Sequence, residues 1–274
     1  MGGYGTGAHL SGAEFGWRSG AGKWPAYYVD SFGAVLNIGP GSPTGVTFGY
    51  GAKFPAKYQE ALFACDWSFG KLYAVHLTPQ GASNTGKPEE FVTGQPLALT
   101  DIVINPKDGA MYFAVGGRKT QSALYRVTYV GKESTAPSRG DNRLAKQRDQ
   151  RHKLESLHGH QDPKAVREAW PFLGHKDRAL RYAARVALEW QNPDEWREKA
   201  LGEKSPRIAI GALVALARVS SKDQFHRKPA DPQVDPALQG RILNALDRIE
   251  LPKLGHSHKL DLLRAYTLAF TRLG

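Results

Sequence analysis

The chain has 274 residues, 41% hydrophobic and 23% charged, with a net charge of +11; that is enough apolar material for one or two cores and is not the composition of a disordered chain. The single cysteine, Cys65, excludes an intramolecular disulfide, a four-cysteine zinc site and a Cys-x-x-Cys-His haem attachment within these residues. No run reaches the roughly 18 apolar residues of a membrane span and Met1–Gly22 has no apolar h-region, so the sequence predicts neither a transmembrane helix nor a signal peptide.

Composition changes near residue 131. Up to there the chain holds 22 of its 30 glycines, with 10 Lys and Arg against 8 Asp and Glu. Beyond it remain 37 − 10 = 27 basic and 26 − 8 = 18 acidic residues. The charge therefore splits as +2 and +9, and two domains are expected. Met1-Gly2-Gly3-Tyr4-Gly5-Thr6 meets the loose myristoylation pattern, which a glycine-rich loop also meets by chance. Gly12–Arg18 followed by Trp24-Pro25-Ala26-Tyr27-Tyr28 reads as a loop and an outer strand with no partner sequence ahead of it, so Met1 is expected to lie inside a larger architecture.

From residue 42 the pattern is that of short strands. Gly45–Tyr50, Ala61–Trp67 and Lys71–Leu77 are rich in β-branched and aromatic residues. So are Thr100–Ile104, Ala110–Val115 and Leu124–Tyr129, with Asn105-Pro106-Lys107-Asp108-Gly109 predicting a tight turn between the first two. Leu72-Tyr73-Ala74-Val75 is matched by Leu124-Tyr125-Arg126-Val127 at a separation of 124 − 72 = 52 residues, near the roughly 40–50 residues of propeller repeats. The expectation is two full β-propeller blades and a partial one, antiparallel sheets of about four strands that cannot bury both faces alone.

Gly41-Ser42-Pro43-Thr44-Gly45-Val46, Phe54-Pro55-Ala56-Lys57-Tyr58-Gln59-Glu60-Ala61-Leu62-Phe63, and Thr100-Asp101-Ile102-Val103 with Asp108-Gly109-Ala110-Met111-Tyr112 resemble the later blades of the glucose/sorbosone dehydrogenase propeller family. The resemblance covers roughly Gly12–Tyr129 and is nearest to large planctomycete-type, membrane-bound-dehydrogenase-type proteins. These join such a propeller to HEAT-like helices and a cytochrome c domain. It implies a six-bladed quinoprotein oxidoreductase acting on sugars or alcohols, exported or periplasmic, holding pyrroloquinoline quinone and calcium, with haem c in a domain absent here. It also implies a lysine just before Phe69-Gly70, where Ser68 stands, and arginines just ahead of Asp101, where Ala98 and Thr100 stand. Cations there pair with the cofactor's carboxylates and small neutral residues cannot, so no cofactor is expected to be bound by this chain alone.

The sequence thus predicts a partial β-propeller over residues 1–131, a linker over 132–145 and HEAT-like helical repeats over 146–274. Gly131–Asp141 is polar and contains Pro, Gly and Ser, as linkers do, and Arg143–Leu157 reads as too polar for a core helix and as a solvated lead-in. Further on the apolar period becomes 3.6: Leu180, Ala183, Ala184, Ala187 and Leu188 share one stripe, and Ile208, Leu213, Leu216 and Ala217 another. Asp162-Pro163, Asn192-Pro193, Ser205-Pro206 and Asp235-Pro236 combine a capping oxygen with proline at the first helical position, and Gly174 and Gly202 mark C-terminal stops. Starts 193 − 163 = 30 residues apart predict a helical solenoid.

Three residues are candidates for facing a ligand. Asp66 and Trp67 stand at a strand end, where propeller loops line the central mouth; a turn aspartate and a packed indole explain the same residues. Arg118, after two glycines, is the best anion-binding candidate in the blades or else a rim charge. Asn105–Gly109 offers oxygens to calcium and equally forms a hairpin turn. His158-x-His160 and His256-x-His258 lack the neighbouring carboxylates or cysteines of a metal site, and no metal site is expected. Two functions stay open: a fragment or derivative of a sugar-dehydrogenase-like propeller protein, inactive on its own, and a non-enzymatic interaction scaffold whose basic helical surface binds an anionic partner or another subunit; the partners expected are a protein or the missing propeller blades. Nucleic acid is the weaker partner, since Arg and Lys alternate with Glu and Asp along the helices without an interleaved recognition motif.

Overall fold

The computed structural model describes residues 5–6, 24–117, 119, 121–222, 225–231 and 234–274. They fold as two compact units: one takes Gly33–Leu144, the other Ala145–Gly274 together with the early segment Trp24–Phe32. Strands fill the first unit and helices the second.

In the strand unit, β1 (Gly5–Thr6) pairs with β2 (Leu36–Asn37). Then follow β3 (Pro43–Phe48), the short helix α1 (Ala56–Gln59), β4 (Leu62–Asp66), β5 (Lys71–Gln80) and β6 (Ser83–Thr93), and then β7 (Leu99–Ile104), β8 (Met111–Val115) and β9 (Ala123–Val127). β3-β4-β5-β6 form one antiparallel sheet and β7-β8-β9 another, each strand pairing with its sequence neighbour. In β8 the side chains of Met111, Phe113 and Val115 are buried while Tyr112 and Ala114 are partly exposed, the period-2 alternation expected of a sheet with one face on a core. Phe63, Cys65, Leu72 and Ala74 of the first sheet share one core with Leu99, Ile102, Met111 and Phe113 of the second.

The hairpin between β7 and β8 forms as the sequence predicts. Gly109 closes it with φ of +70°, a conformation cheap only for glycine. The carboxamide of Asn105 accepts from Lys107 N–H at 3.0 Å, and Asp108 accepts from Ala110 N–H at 3.0 Å, Tyr112 OH at 2.8 Å and Arg126 at 3.2 Å. These oxygens serve the turn. β6 is an element the sequence pattern does not reveal: it is polar and carries Gly86 and Pro88, tolerated because it is the edge strand of its sheet.

The stretch expected to be a linker is bound to the strand unit. Gln59, 3% exposed, donates its amide hydrogens to the carbonyls of Phe54 at 2.7 Å, Ala136 at 2.9 Å and Thr135 at 3.3 Å, and accepts from Ser138 N–H at 3.0 Å. A buried amide with both ends engaged fixes a polar segment that no local signal would order.

The helical unit runs α2 (Ala145–Glu155), α3 (Ala165–Ala169), a 3-10 turn (Trp170–Gly174), α4 (Arg178–Glu189), α5 (Arg197–Gly202), α6 (Pro206–Ser220), α7 (Pro236–Asp247) and α8 (His256–Leu273). α6 is its centre: Ala209 through Ala217 are all buried, because α4, α7, α8 and the Trp170–Gly174 turn surround it. Two of the four expected caps form, Asn192 accepting from Asp194 N–H at 3.2 Å and Asp235 from Ala237 N–H at 2.9 Å, while Asp162 accepts from Lys164 N–H at 2.8 Å in the turn ahead of α3, whose own start at Lys164 has no side-chain cap. Ser205 makes no side-chain cap. Asp177, preceding α4 without a proline, caps it through Ala179 and Leu180.

Two readings need correction here. α2 is not a solvated lead-in: it buries Arg151 and Leu154 against α4, and the buried guanidinium is paired with Glu155 at 3.8 Å. Trp24–Tyr28 is not an outer strand either. It forms a turn, Tyr28 N–H donating to Pro25 C=O at 3.0 Å, and a second turn follows, Ser31 N–H donating to Tyr28 C=O at 3.1 Å. Of the aromatic residues that suggest a strand, Trp24 and Tyr28 lie instead against the Arg264 guanidinium of the helical unit.

Candidate functional site

Of the three sequence candidates, Asp66 and Trp67 sit at the end of β4, where the chain turns into β5. Asp66 is 1% exposed, and its Oδ1 accepts from the backbone N–H groups of Ser42 at 3.0 Å, Ser68 at 2.9 Å and Phe69 at 3.4 Å. Its Oδ2 lies so close to Gly41 that a Cβ there would stand 2.6 Å away. Trp67 donates its indole N–H to Gly116 C=O at 2.9 Å, joining the loops of the two sheets. Both residues are therefore engaged in holding the loops. A cavity of about 480 Å³ beside them is lined by Trp67 through Gly70 and Gly94 through Ala98; Asp66 is not part of its wall. Arg118 lies outside the described residues.

The positions where the resemblance expects cations are likewise occupied by packing. Ser68 Oγ donates to Ser42 Oγ at 2.8 Å, Thr100 Oγ1 donates to Ala114 C=O at 3.2 Å, and Ala98 is 5% exposed. None of these side chains can neutralise a carboxylate. Cys65 is fully buried, and burial pushes its thiol up to about 12, the setting of an inert structural cysteine.

The histidine pairs do not converge. His158 Nε2 lies 2.8 Å from Ala183 C=O, so it carries the proton there, and burial lowers its basicity. His160 turns to the His158 carbonyl at 3.1 Å. Among the described residues no group of three or more His, Cys, Asp or Glu side chains is placed to hold a metal ion.

Two constellations escaped the sequence reading. On the strand unit, Glu89 accepts from Tyr58 OH at 2.7 Å and meets His76 Nε2 at 2.7 Å, and these bonds hold its carboxyl below the ordinary value. A cavity of about 390 Å³ beside them is lined by Lys57, Glu60, His76, Leu77 and Glu89. A carboxylate-oriented imidazole is half of a base-activated nucleophile, but no serine, threonine or cysteine lines this cavity.

The second lies within the helical unit and is larger. Asp30, 9% exposed, is gripped by Arg264 through two bonds, Nε to Oδ1 at 2.7 Å and Nη2 to Oδ2 at 2.9 Å, and by Arg218 Nη1 at 3.1 Å. Arg218 also binds Glu189 at 2.7 Å, and Arg185 pairs with the same carboxylate oxygen. Burial works against the Asp30 charge, yet the hydrogen bonds and charge of Arg264, with Arg218 and Arg185, outweigh it and hold the carboxyl below its ordinary value. Arg178 donates to three carbonyls of the same segment: Ala26 at 2.6 Å, Ser31 at 2.8 Å and Tyr28 at 2.9 Å. The Arg264 guanidinium stacks over the Tyr28 ring at 3.9 Å, and Phe32 packs against Tyr182 with ring centroids 5.4 Å apart.

Known protein families, curated proteins and solved structures contain no match to this chain. What the site can do therefore rests on its own chemistry. Four arginines of α4, α6 and α8 face one short turn segment, reading its carbonyls, its carboxylate and its rings at once. Bidentate guanidinium–carboxylate pairs and stacked guanidinium planes are arrangements that lysine cannot supply. The signal that could have found it is the unusual Arg content of the apolar stripes, at Arg178, Arg185, Arg218 and Arg264; a surface reading of those charges conceals it.

Proposed function

We propose that this chain is a binding scaffold derived from the later blades of a glucose/sorbosone dehydrogenase-like propeller and a HEAT-like helical array, with no sugar-dehydrogenase activity of its own. The blade reading is supported by two successive antiparallel meanders sharing a core, in which Leu72–Val75 and Leu124–Val127 each lie on the third strand. The helical-array reading is supported by short amphipathic helices packed around α6, of which α4 and α7 start on a capping aspartate.

The observation that carries the functional reading is the arginine cluster on Trp24–Phe32: the helices recognise a peptide segment in detail, while the residues expected to face a cofactor hold loops together. The residues present do not fit a quinone, since Ser68, Ala98 and Thr100 offer no cation. Many arginines of the helical unit are engaged internally, as in the Arg241–Glu198 pair at 2.7 Å. This favours a protein partner over nucleic acid, for which binding should be unspecific and fall steeply with salt. Among the described residues no helix is long and apolar enough to cross a membrane.

The test is to add pyrroloquinoline quinone and calcium to the 274-residue chain and follow dye reduction with aldoses. No turnover above a heat-killed control is expected; turnover, or tight quinone binding by fluorescence quenching, overturns the reading.

A further inference from the structure

Resting on the scaffold reading above, we propose that the arginine face of α4, α6 and α8 is a peptide-docking site, specific for a turn-forming segment with an aromatic residue two positions ahead of an aspartate, and that Trp24–Phe32 is its ligand supplied in cis. The partner class is a protein segment of that chemistry.

Each element of the ligand has its own receptor group. The aspartate carboxylate takes Arg264 in bidentate fashion and Arg218 from the side. The aromatic two residues earlier, Tyr28, lies under the Arg264 guanidinium at 3.9 Å. The turn is read by Arg178, which reaches the carbonyls of Ala26, Tyr28 and Ser31 and can do so only when the chain bends as it does here. These contacts span 147 to 234 positions of sequence, so the helices meet the segment as they would meet a separate peptide. The receptor side is also electrically suited to an acidic guest: besides Asp30, the one carboxylate among the described residues that Arg185 and Arg218 pair with is Glu189, which leaves positive charge for the guest to neutralise. Aromatic and arginine contacts of this kind are the ones that dominate peptide and protein interfaces.

A ligand tethered in cis is present at an effective concentration on the order of mM, so a free peptide at micromolar concentration should not enter the intact chain. The experiment uses the full chain and a fluorescein-labelled peptide of residues 24–32, read by anisotropy. The Tyr28→Ala/Asp30→Ala double variant leaves every helix residue untouched and removes the two side chains of the cis ligand that Arg264 grips. It should bind the peptide at least tenfold more tightly than the unaltered chain does. Changing the aspartate of the peptide to alanine should cost at least tenfold, and adding Arg264→Met to the double variant should do the same. Helical circular dichroism at 222 nm verifies that each variant is folded, and the milder Asp30→Asn variant takes the place of the double variant if that loses its helices. Equal binding by unaltered and cis-weakened chains, indifference to the peptide's aspartate, or no binding to any folded variant overturns the proposal. The quinone assay is unaffected by any of these results, so a failure here and a failure of the propeller-derived reading are told apart.

Discussion

Replacing Asp30 by alanine should destabilise the helical unit by about 3 kcal/mol, the lower end of the roughly 3–5 kcal/mol cost of breaking a buried ion pair from one side. The lower end applies because Arg218 keeps Glu189 at 2.7 Å, whereas Arg264, whose side chain is 10% exposed, loses both of its bonds to the Asp30 carboxylate. A helical unit of about 140 residues has an unfolding entropy of about 0.3 kcal/mol/K, so Tm should fall by about 10 °C. Thermal melts at 222 nm measure this. Adding Arg264→Met to Asp30→Ala removes the stranded charge and should recover most of the loss, giving a coupling of about 2 kcal/mol in the double-mutant cycle. The pH dependence has a fixed sign. The folded-state carboxyl is held below its ordinary value, so its stabilisation is complete above the unfolded value of about 3.9 and is lost as pH falls through the folded value. Acid should therefore erase the difference between wild type and Asp30→Ala. A single variant melting within about 2 °C of wild type, or a cycle without coupling, would refute the reasoning.

Gln59→Leu should cost about 1–3 kcal/mol by leaving the Phe54, Thr135 and Ala136 carbonyls without their donor. Trypsin cleavage at Arg139 and Arg143 should then quicken, and an unchanged rate argues against the tie between Gln59 and this segment. Leu213→Ala, at a side chain 1% exposed in the centre of α6, should cost about 2–5 kcal/mol in guanidinium titrations; a loss of under about 1 kcal/mol would mean that the α6 packing is misread. Cys65, fully buried with its thiol pushed up to about 12, should not react with Ellman's reagent at pH 8 until the chain is denatured. Fast stoichiometric labelling of the native protein contradicts that burial.

The sequence by itself determined the features that depend on near neighbours. Asn105–Gly109 is a turn because Asn, Asp and Gly satisfy it locally, β8 alternates because its pleat does, and Asn192 and Asp235 start helical turns because their oxygens reach N–H groups two residues on. It also placed Asp66 and Trp67 at a strand end, where Asp66 accepts from loop N–H groups and Trp67 donates to Gly116 C=O. Only the tertiary structure decided what polar residues do at long range. Ser83–Thr93 is a strand because β5 offers it a ladder, not because of its own polar sequence. Thr135–Ser138 is ordered by an amide 76 to 79 positions away. The early segment Trp24–Phe32 belongs with helices far along the chain because Asp30 meets Arg218 and Arg264 across 188 and 234 positions. Periodicity and capping act within a turn or two of chain, while a buried charge finds its partner only once the chain is folded, so the arginines of α4, α6 and α8 look in sequence like any solvated charge.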